Sequence, residues 1–143
     1  MEEYREHLER YFALTANLNC AETTLLALSD ALGTGHGLED ARFMAAFGGG
    51  MGCGGTCGAL IGAESALGRY MTGCLPEGTL PVGNSCPGLR ELAAQLHGRF
   101  CEEFGSTDCR ELKEGWTKAQ PNGCRDLMRR TCDLVEELLR ERQ

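Results

Sequence analysis

This sequence has few positive charges and no long apolar run. Lysine and arginine total 14 against 21 aspartates and glutamates, so the formal net charge is -7. Such a chain has no basic surface to neutralise the phosphates of nucleic acid or to bind an anionic membrane. No apolar stretch approaches the roughly 18 residues that a membrane-spanning helix needs. We therefore expect neither nucleic acid nor a membrane among the partners.

The amino terminus also lacks the features of a secretory signal. The first seven residues include three glutamates and one arginine. A signal would instead begin with positive charge and continue into an apolar segment. We therefore expect a cytoplasmic protein, in a compartment that keeps thiols reduced.

Alternation of apolar and polar residues, the pattern of a half-buried strand, is nearly absent. Apolar residues instead recur every three to four positions, which predicts helices. The predicted helices cover about residues 1–15, 20–32, 38–47, 59–71, 89–104, 107–112 and 125–140. A chain of 143 residues is long enough to bury one core without covalent links. We expect a single all-α domain over residues 1–143, a bundle of about five to seven helices with a glycine-rich cysteine loop.

Cysteine and glycine are the residues that the sequence has in excess, with nine and 20 copies. An odd cysteine count, in a chain that can build its own core, argues against a disulfide framework. Clustered cysteines in a reducing compartment bind metal or carry out redox chemistry. We expect about half of the nine to be small buried hydrophobic residues instead.

The glycine-rich segment at residues 48–58 is the most unusual local feature, because seven of its eleven residues are glycine. It contains Gly-x-Gly-x-x-Gly at 50–55, but a dinucleotide site needs a preceding strand and a βαβ unit. A helical segment precedes it here. Glycine leaves backbone N–H groups free to donate to thiolates or to the sulfides of a cluster. The segment therefore favours a sulfur site.

Four cysteines on four separate segments are candidate ligands. Cys20 and Cys57 begin predicted helices, where we expect the partial positive charge to lower the pKa of Cys57. Cys109 and Cys132 lie on predicted apolar stripes and should face the core. Iron–sulfur clusters are held by four cysteine thiolates. We predict that Cys20, Cys57, Cys109 and Cys132 converge as the metal- and cofactor-binding set.

The ligand set has two open points. Cys53 lies in the glycine-rich segment and could replace or supplement a ligand. Cys124 precedes Cys132 by eight residues in one predicted helix, about 12 Å along its axis, so one small cluster could not easily take both. Glu64 shares the predicted Cys57 face of its helix, and we expect its carboxyl group to reach solvent at the rim.

Three functions remain open on these residues. The first is a redox or electron-transfer protein that holds an iron–sulfur cluster, of undefined nuclearity, and serves a redox partner protein. The second is a thiol–disulfide or sulfur-handling oxidoreductase that uses Cys53 and Cys57. The third is a structural domain with zinc as the cofactor. A cluster is preferred because a glycine-rich nest of N–H donors suits bridging sulfides. Whether the protein is an enzyme, and whether it forms a homodimer, stay open.

Several motifs resemble the C_GCAxxG_C_C family, whose members are regarded as redox proteins. The segments that carry the resemblance are Asn19-Cys20-Ala21-Glu22, Phe47-Gly48-Gly49-Gly50-Met51-Gly52, Thr56-Cys57-Gly58-Ala59-Leu60-Ile61-Gly62-Ala63, Phe104-Gly105-Ser106 with Cys109-Arg110-Glu111-Leu112, and Cys132-Asp133-Leu134-Val135-Glu136-Glu137. The resemblance covers nearly the whole chain and implies the same four functional cysteines. The chain departs from the pattern by five further cysteines, which are Cys53, Cys74, Cys86, Cys101 and Cys124.

Overall fold

A computed structural model describes residues 2–14, 18–114 and 123–142, and these ranges are mainly helical. The six α-helices are α1 (Glu2–Leu14), α2 (Cys20–Leu32), α3 (Gly58–Thr72), α4 (Leu89–Phe104), α5 (Cys109–Glu114) and α6 (Gly123–Glu141). The described residues form no β-sheet, so the all-α prediction is confirmed. No helix in these ranges is long and apolar enough to cross a membrane. Met1 and Thr15, the ends of the first predicted helix, lie outside the described residues.

One apolar core joins the long helices. It includes Leu8 of α1, Leu28 of α2, Leu67 of α3, Phe100 of α4 and Val135 of α6, all buried. Burial of a side chain of this size stabilises the fold by about 1.5–3 kcal/mol. Helix α2 packs against α1, α3 and α6, so it is held in place from several sides.

Two glycines on α3 let α2 approach closely. A Cβ atom added at Gly62 would lie 2.6 Å from Ala21 O and 3.1 Å from the Cβ of Thr24. A Cβ atom added at Gly58 would overlap the sulfur of Cys20. Glycine is therefore required at both positions because the neighbouring helix occupies the space of a side chain.

The start of α2 is held by a reciprocal cap. The side chain of Asn19 accepts a hydrogen bond from Glu22 N–H at 2.8 Å, and Glu22 Oε1 accepts one from Asn19 N–H at 2.8 Å. The Asn19 amide also donates to Ala45 O at 3.2 Å. A cap of this kind stabilises a helix by about 1 kcal/mol. It holds Cys20 at the first position of α2.

The segment Leu38–Phe47, predicted as a helix, is a 3₁₀-helix. Its apolar residues Ala41, Met44 and Phe47 fall at intervals of three, which matches the three-residue turn of a 3₁₀-helix. Ala41 and Met44 are buried. A wide π turn, Gly50–Gly54, then leads towards α3.

Candidate cysteine site

A single antiparallel bridge brings two of the predicted cysteines together. Thr56 pairs with Asp108 outside any sheet. Cys57 N–H donates to Thr107 O at 2.7 Å, and Cys109 N–H donates to Gly55 O at 2.6 Å. The bridge therefore places the start of α3 beside the start of α5, with one cysteine at each.

The π turn that precedes this bridge requires glycine. Gly50 has φ +64°, and a Cβ atom there would lie 2.5 Å from Gly55 O and 2.7 Å from the Cβ of Cys109. Met51, with φ 60°, is the one non-glycine residue with positive φ in the described ranges. Such backbone costs about 1–3 kcal/mol and clusters at functional sites. The glycine-rich segment thus turns sharply and approaches Cys109 closely, as its composition predicts.

Four cysteine side chains line one partly open cavity of about 40 Å³, those of Cys20, Cys57, Cys109 and Cys124. Leu112, Lys113 and Leu127 complete its lining. A cavity needs about 10–15 Å³ to hold a water, so this space is large enough for a small group. Organic cofactors need pockets of about 300–1,000 Å³. The cavity is therefore much smaller than an organic cofactor needs.

The fourth predicted ligand, Cys132, is not among the residues that line the cavity. Its side chain is fully buried where α6 packs on α1. Burial, followed by the neighbouring Asp133, raises the pKa of Cys132 to about 12. Arg5 Nε donates to Asp133 Oδ1 at 2.8 Å beside it. The structure brings three of the four predicted cysteines together and adds Cys124; the ligand role of Cys132 stays a prediction.

The thiol of Cys57 is protonated at neutral pH. Burial raises its pKa to about 11, while the backbone N–H groups of Ala59 and Leu60 lower it and the neighbouring Cys20 and Cys109 raise it further. The prediction of a lowered pKa was therefore wrong. The helix start does contribute its N–H groups, but removal from water outweighs them. A cation in the cavity would favour the thiolate instead.

A single metal ion and an iron–sulfur cluster require different arrangements of cysteine ligands. Within the described residues, no group of three or more His, Cys, Asp or Glu side chains is placed to hold one metal ion. A single zinc needs four ligands around one point, with Zn–S about 2.3 Å. An iron–sulfur cluster distributes its thiolates over several iron atoms. Thiols that surround a small cavity fit the cluster better than the single ion.

An open groove of about 560 Å³ adjoins the cavity. Cys109 and Lys113 line both spaces, and Arg110 and Cys53 line the groove alone. Arg110 Nη2 donates to Cys53 O at 3.0 Å, which fixes the guanidinium against the glycine-rich segment. Cys53 and Cys57, the pair of the oxidoreductase alternative, therefore line different spaces.

A family model described as "Putative redox-active protein (C_GCAxxG_C_C)" matches residues 18–138, which include all nine cysteines. The chain belongs to the C_GCAxxG_C_C family. A search of curated proteins found no match, and a search of solved structures found none. For this family member, the match confirms the resemblance and supports redox activity in general terms.

One cavity residue, Cys124, lies outside the predicted set, and the environment of Glu64 on α3 differs from its prediction. Cys124 precedes Leu127 by three residues, and this helical spacing to an apolar residue was the signal that could have placed it at the cavity. Glu64 is half-buried, and its Oε1 is buried without a hydrogen-bond partner among the described residues. Burial raises the pKa of Glu64 to about 7. We expected this carboxyl group to reach solvent, but one of its two oxygens is buried.

Proposed function

We propose that this member of the C_GCAxxG_C_C family is a redox or electron-transfer protein that holds an iron–sulfur cluster between Cys20, Cys57, Cys109 and Cys124. The observation that carries the proposal is the lining of one small cavity by these four thiols. They come from four different helices, and the cavity has room for a small inorganic group.

Their positions on those helices add a second argument. Cys20 is the first residue of α2, Cys57 is the N-cap of α3, Cys109 is the first residue of α5 and Cys124 is the second residue of α6. Helix amino termini carry partial positive charge and free N–H donors, which stabilise negative sulfur. Cys132, in the middle of α6, has neither.

The chain supplies the surroundings of the redox group. Ala59 and Leu60 N–H groups favour negative charge on the Cys57 sulfur, and Leu112 and Leu127 give the cavity an apolar lining beside the thiols. A bound cluster supplies one-electron transfer. Because the buried Cys57 thiol is protonated in the metal-free protein, loading the site releases protons.

The groove supports a route for electron exchange with a redox partner protein. Cys109 lines both the cavity and the groove, so among the four cavity cysteines it is the one that a partner seated in the groove would approach. Arg110 and Lys113 place two cations in this groove against the one carboxylate of Glu114, so its lining is net positive in a chain of net charge -7. An acidic partner surface would complement them.

The experiment compares two cysteines of one helix. The protein is purified without oxygen, reconstituted with iron and sulfide, and analysed for its absorption spectrum and for iron, sulfide and zinc. We expect Cys124→Ala to lose bound iron and sulfide and Cys132→Ala to retain both, with unchanged helical circular dichroism. If Cys124→Ala retains iron and sulfide while folded Cys132→Ala loses both, the ligands are instead the four cysteines that the family pattern implies. Zinc alone, without iron or sulfide, would overturn the proposal.

A further inference from the structure

Cys74 and Cys86 lie at the two ends of the loop between α3 and α4, and neither lines the cysteine cavity. The Sγ atom of each donates to the same acceptor, Met71 O, at 3.4 Å. Two sulfurs that share one oxygen cannot be farther apart than twice that distance. The loop therefore brings Cys74 and Cys86 close together, although eleven residues separate them in the sequence.

We propose that Cys74 and Cys86 form a second redox site, a dithiol that low-molecular-weight disulfides oxidise to an intramolecular disulfide. This site is independent of the proposed cluster, since it shares no residue with the cavity. Its reactants are two thiols of this chain and one small disulfide.

The backbone holds both cysteines at the base of the loop. Leu75 N–H donates to Thr72 O at 3.0 Å, which anchors the turn that contains Cys74. Cys86 N–H donates to Gly83 O at 3.2 Å, and Leu89 N–H donates to Cys86 O at 3.3 Å. The intervening residues are mostly exposed, so the loop between the two cysteines is free of core packing that would oppose the shift to bonding distance.

The oxidation takes two thiol–disulfide exchange steps, and the difference in exposure between Cys74 and Cys86 sets their order. Cys74 is exposed, whereas Cys86 is 7% exposed. The Cys74 thiolate attacks one sulfur of the small disulfide, which forms a mixed disulfide and releases one thiolate. The Cys86 thiolate then attacks the Cys74 sulfur and releases the second thiolate. Two protons leave the protein thiols and are taken up by the released thiolates, and the two electrons reduce the small disulfide to two thiols.

The sequence provides a direct readout. No lysine or arginine lies between Arg69 and Arg90, so trypsin releases residues 70–90 as one fragment with Cys74 and Cys86 as its only cysteines. The protein is incubated with oxidised glutathione, alkylated with iodoacetamide and digested. We expect the fragment to lose two hydrogens in mass and to carry no alkyl group. Treatment with dithiothreitol before alkylation should restore two alkyl groups.

Variants separate the two thiols and provide the control. Cys86→Ser should stop at the mixed disulfide and carry glutathione on Cys74, while Cys101→Ser, at another exposed cysteine, should still form the bridge. A wild-type fragment with glutathione on Cys74 and an alkylated Cys86 would overturn the proposal. So would loss of iron in the Cys74→Ser, Cys86→Ser double variant, because the two cysteines would then belong to the cluster site.

Discussion

Cys124 and Cys132 lie on the same helix and meet opposite environments. Cys124, near the start of α6, lines the cavity and remains partly exposed; burial raises its pKa while Lys113 lowers it. Cys132, in the middle of α6, is fully buried beside the Arg5–Asp133 ion pair. The helix start offers N–H donors and space for a small group, whereas the helix centre offers only packing. Position along the helix therefore separates a candidate ligand from a core residue.

The largest effect is expected beside the cysteine cavity, at Gly58. Gly58→Ala would push a Cβ atom into the Cys20 sulfur, 3.0 Å from Phe47 O and 3.1 Å from Ala21 N. Overpacking of this kind costs about 1–3 kcal/mol. We expect urea unfolding to show that loss, and iron content after reconstitution to fall with it.

Gly68→Ala is the matched control on the same helix. Nothing lies within 4 Å of a Cβ atom at Gly68, so this variant should be stabilised by up to about 1 kcal/mol through helix propensity. Equal unfolding midpoints for the two variants would show that α2 does not press on α3 at the cysteine site.

Alkaline pH should distinguish the two α6 cysteines in the metal-free protein. The pKa of Cys132 is raised to about 12 in the folded state, above the ordinary value of 9.0. Between these values the unfolded thiol releases its proton while the folded thiol keeps it, so stability falls as pH rises. One such group contributes a slope of about 1.4 kcal/mol per pH unit.

Urea unfolding at pH 8 and pH 10 measures this slope. We expect Cys132→Ala to reduce the difference between the two pH values by about 1 kcal/mol, and Cys124→Ala to reduce it less, since water still reaches Cys124. A larger reduction in Cys124→Ala would reverse the assignment of which thiol belongs to the core.

The smallest effect concerns Glu64, which lies on α3. Its pKa is raised to about 7 from 4.5, so stability should fall as pH rises from about 4.5 to 7 and then level off. Glu64→Gln removes the buried charge, and we expect it to stabilise the protein by about 1 kcal/mol at pH 8. Thermal unfolding at pH 4.5 should show a much smaller difference; an equal gain at both pH values would contradict a titrating Glu64.

Helix positions were predicted closely where the signal is local. The α4 range of 89–104 coincides with Leu89–Phe104, because its apolar spacing, the glycine that follows and the helix end are adjacent in the chain. The predicted helix over 38–47 has the bounds of Leu38–Phe47, and its 3₁₀ type is not evident from the sequence, since intervals of three and four overlap in so short a stretch. The pKa of Cys57 was missed for another reason. The helix start can be read from neighbouring residues, but burial depends on helices far away in the sequence.

Local sequence patterns were enough to predict the helices, the need for glycine before α3, and the family pattern that singles out cysteines. Which cysteines meet depends on the packing of the folded chain. The bridge between Thr56 and Asp108, the exchange of Cys132 for Cys124 at the cavity, and the shared acceptor of Cys74 and Cys86 all join residues that are separated along the chain. Periodicity reports the face that a residue occupies on its own helix. Which other segment that face meets depends on how the whole chain packs.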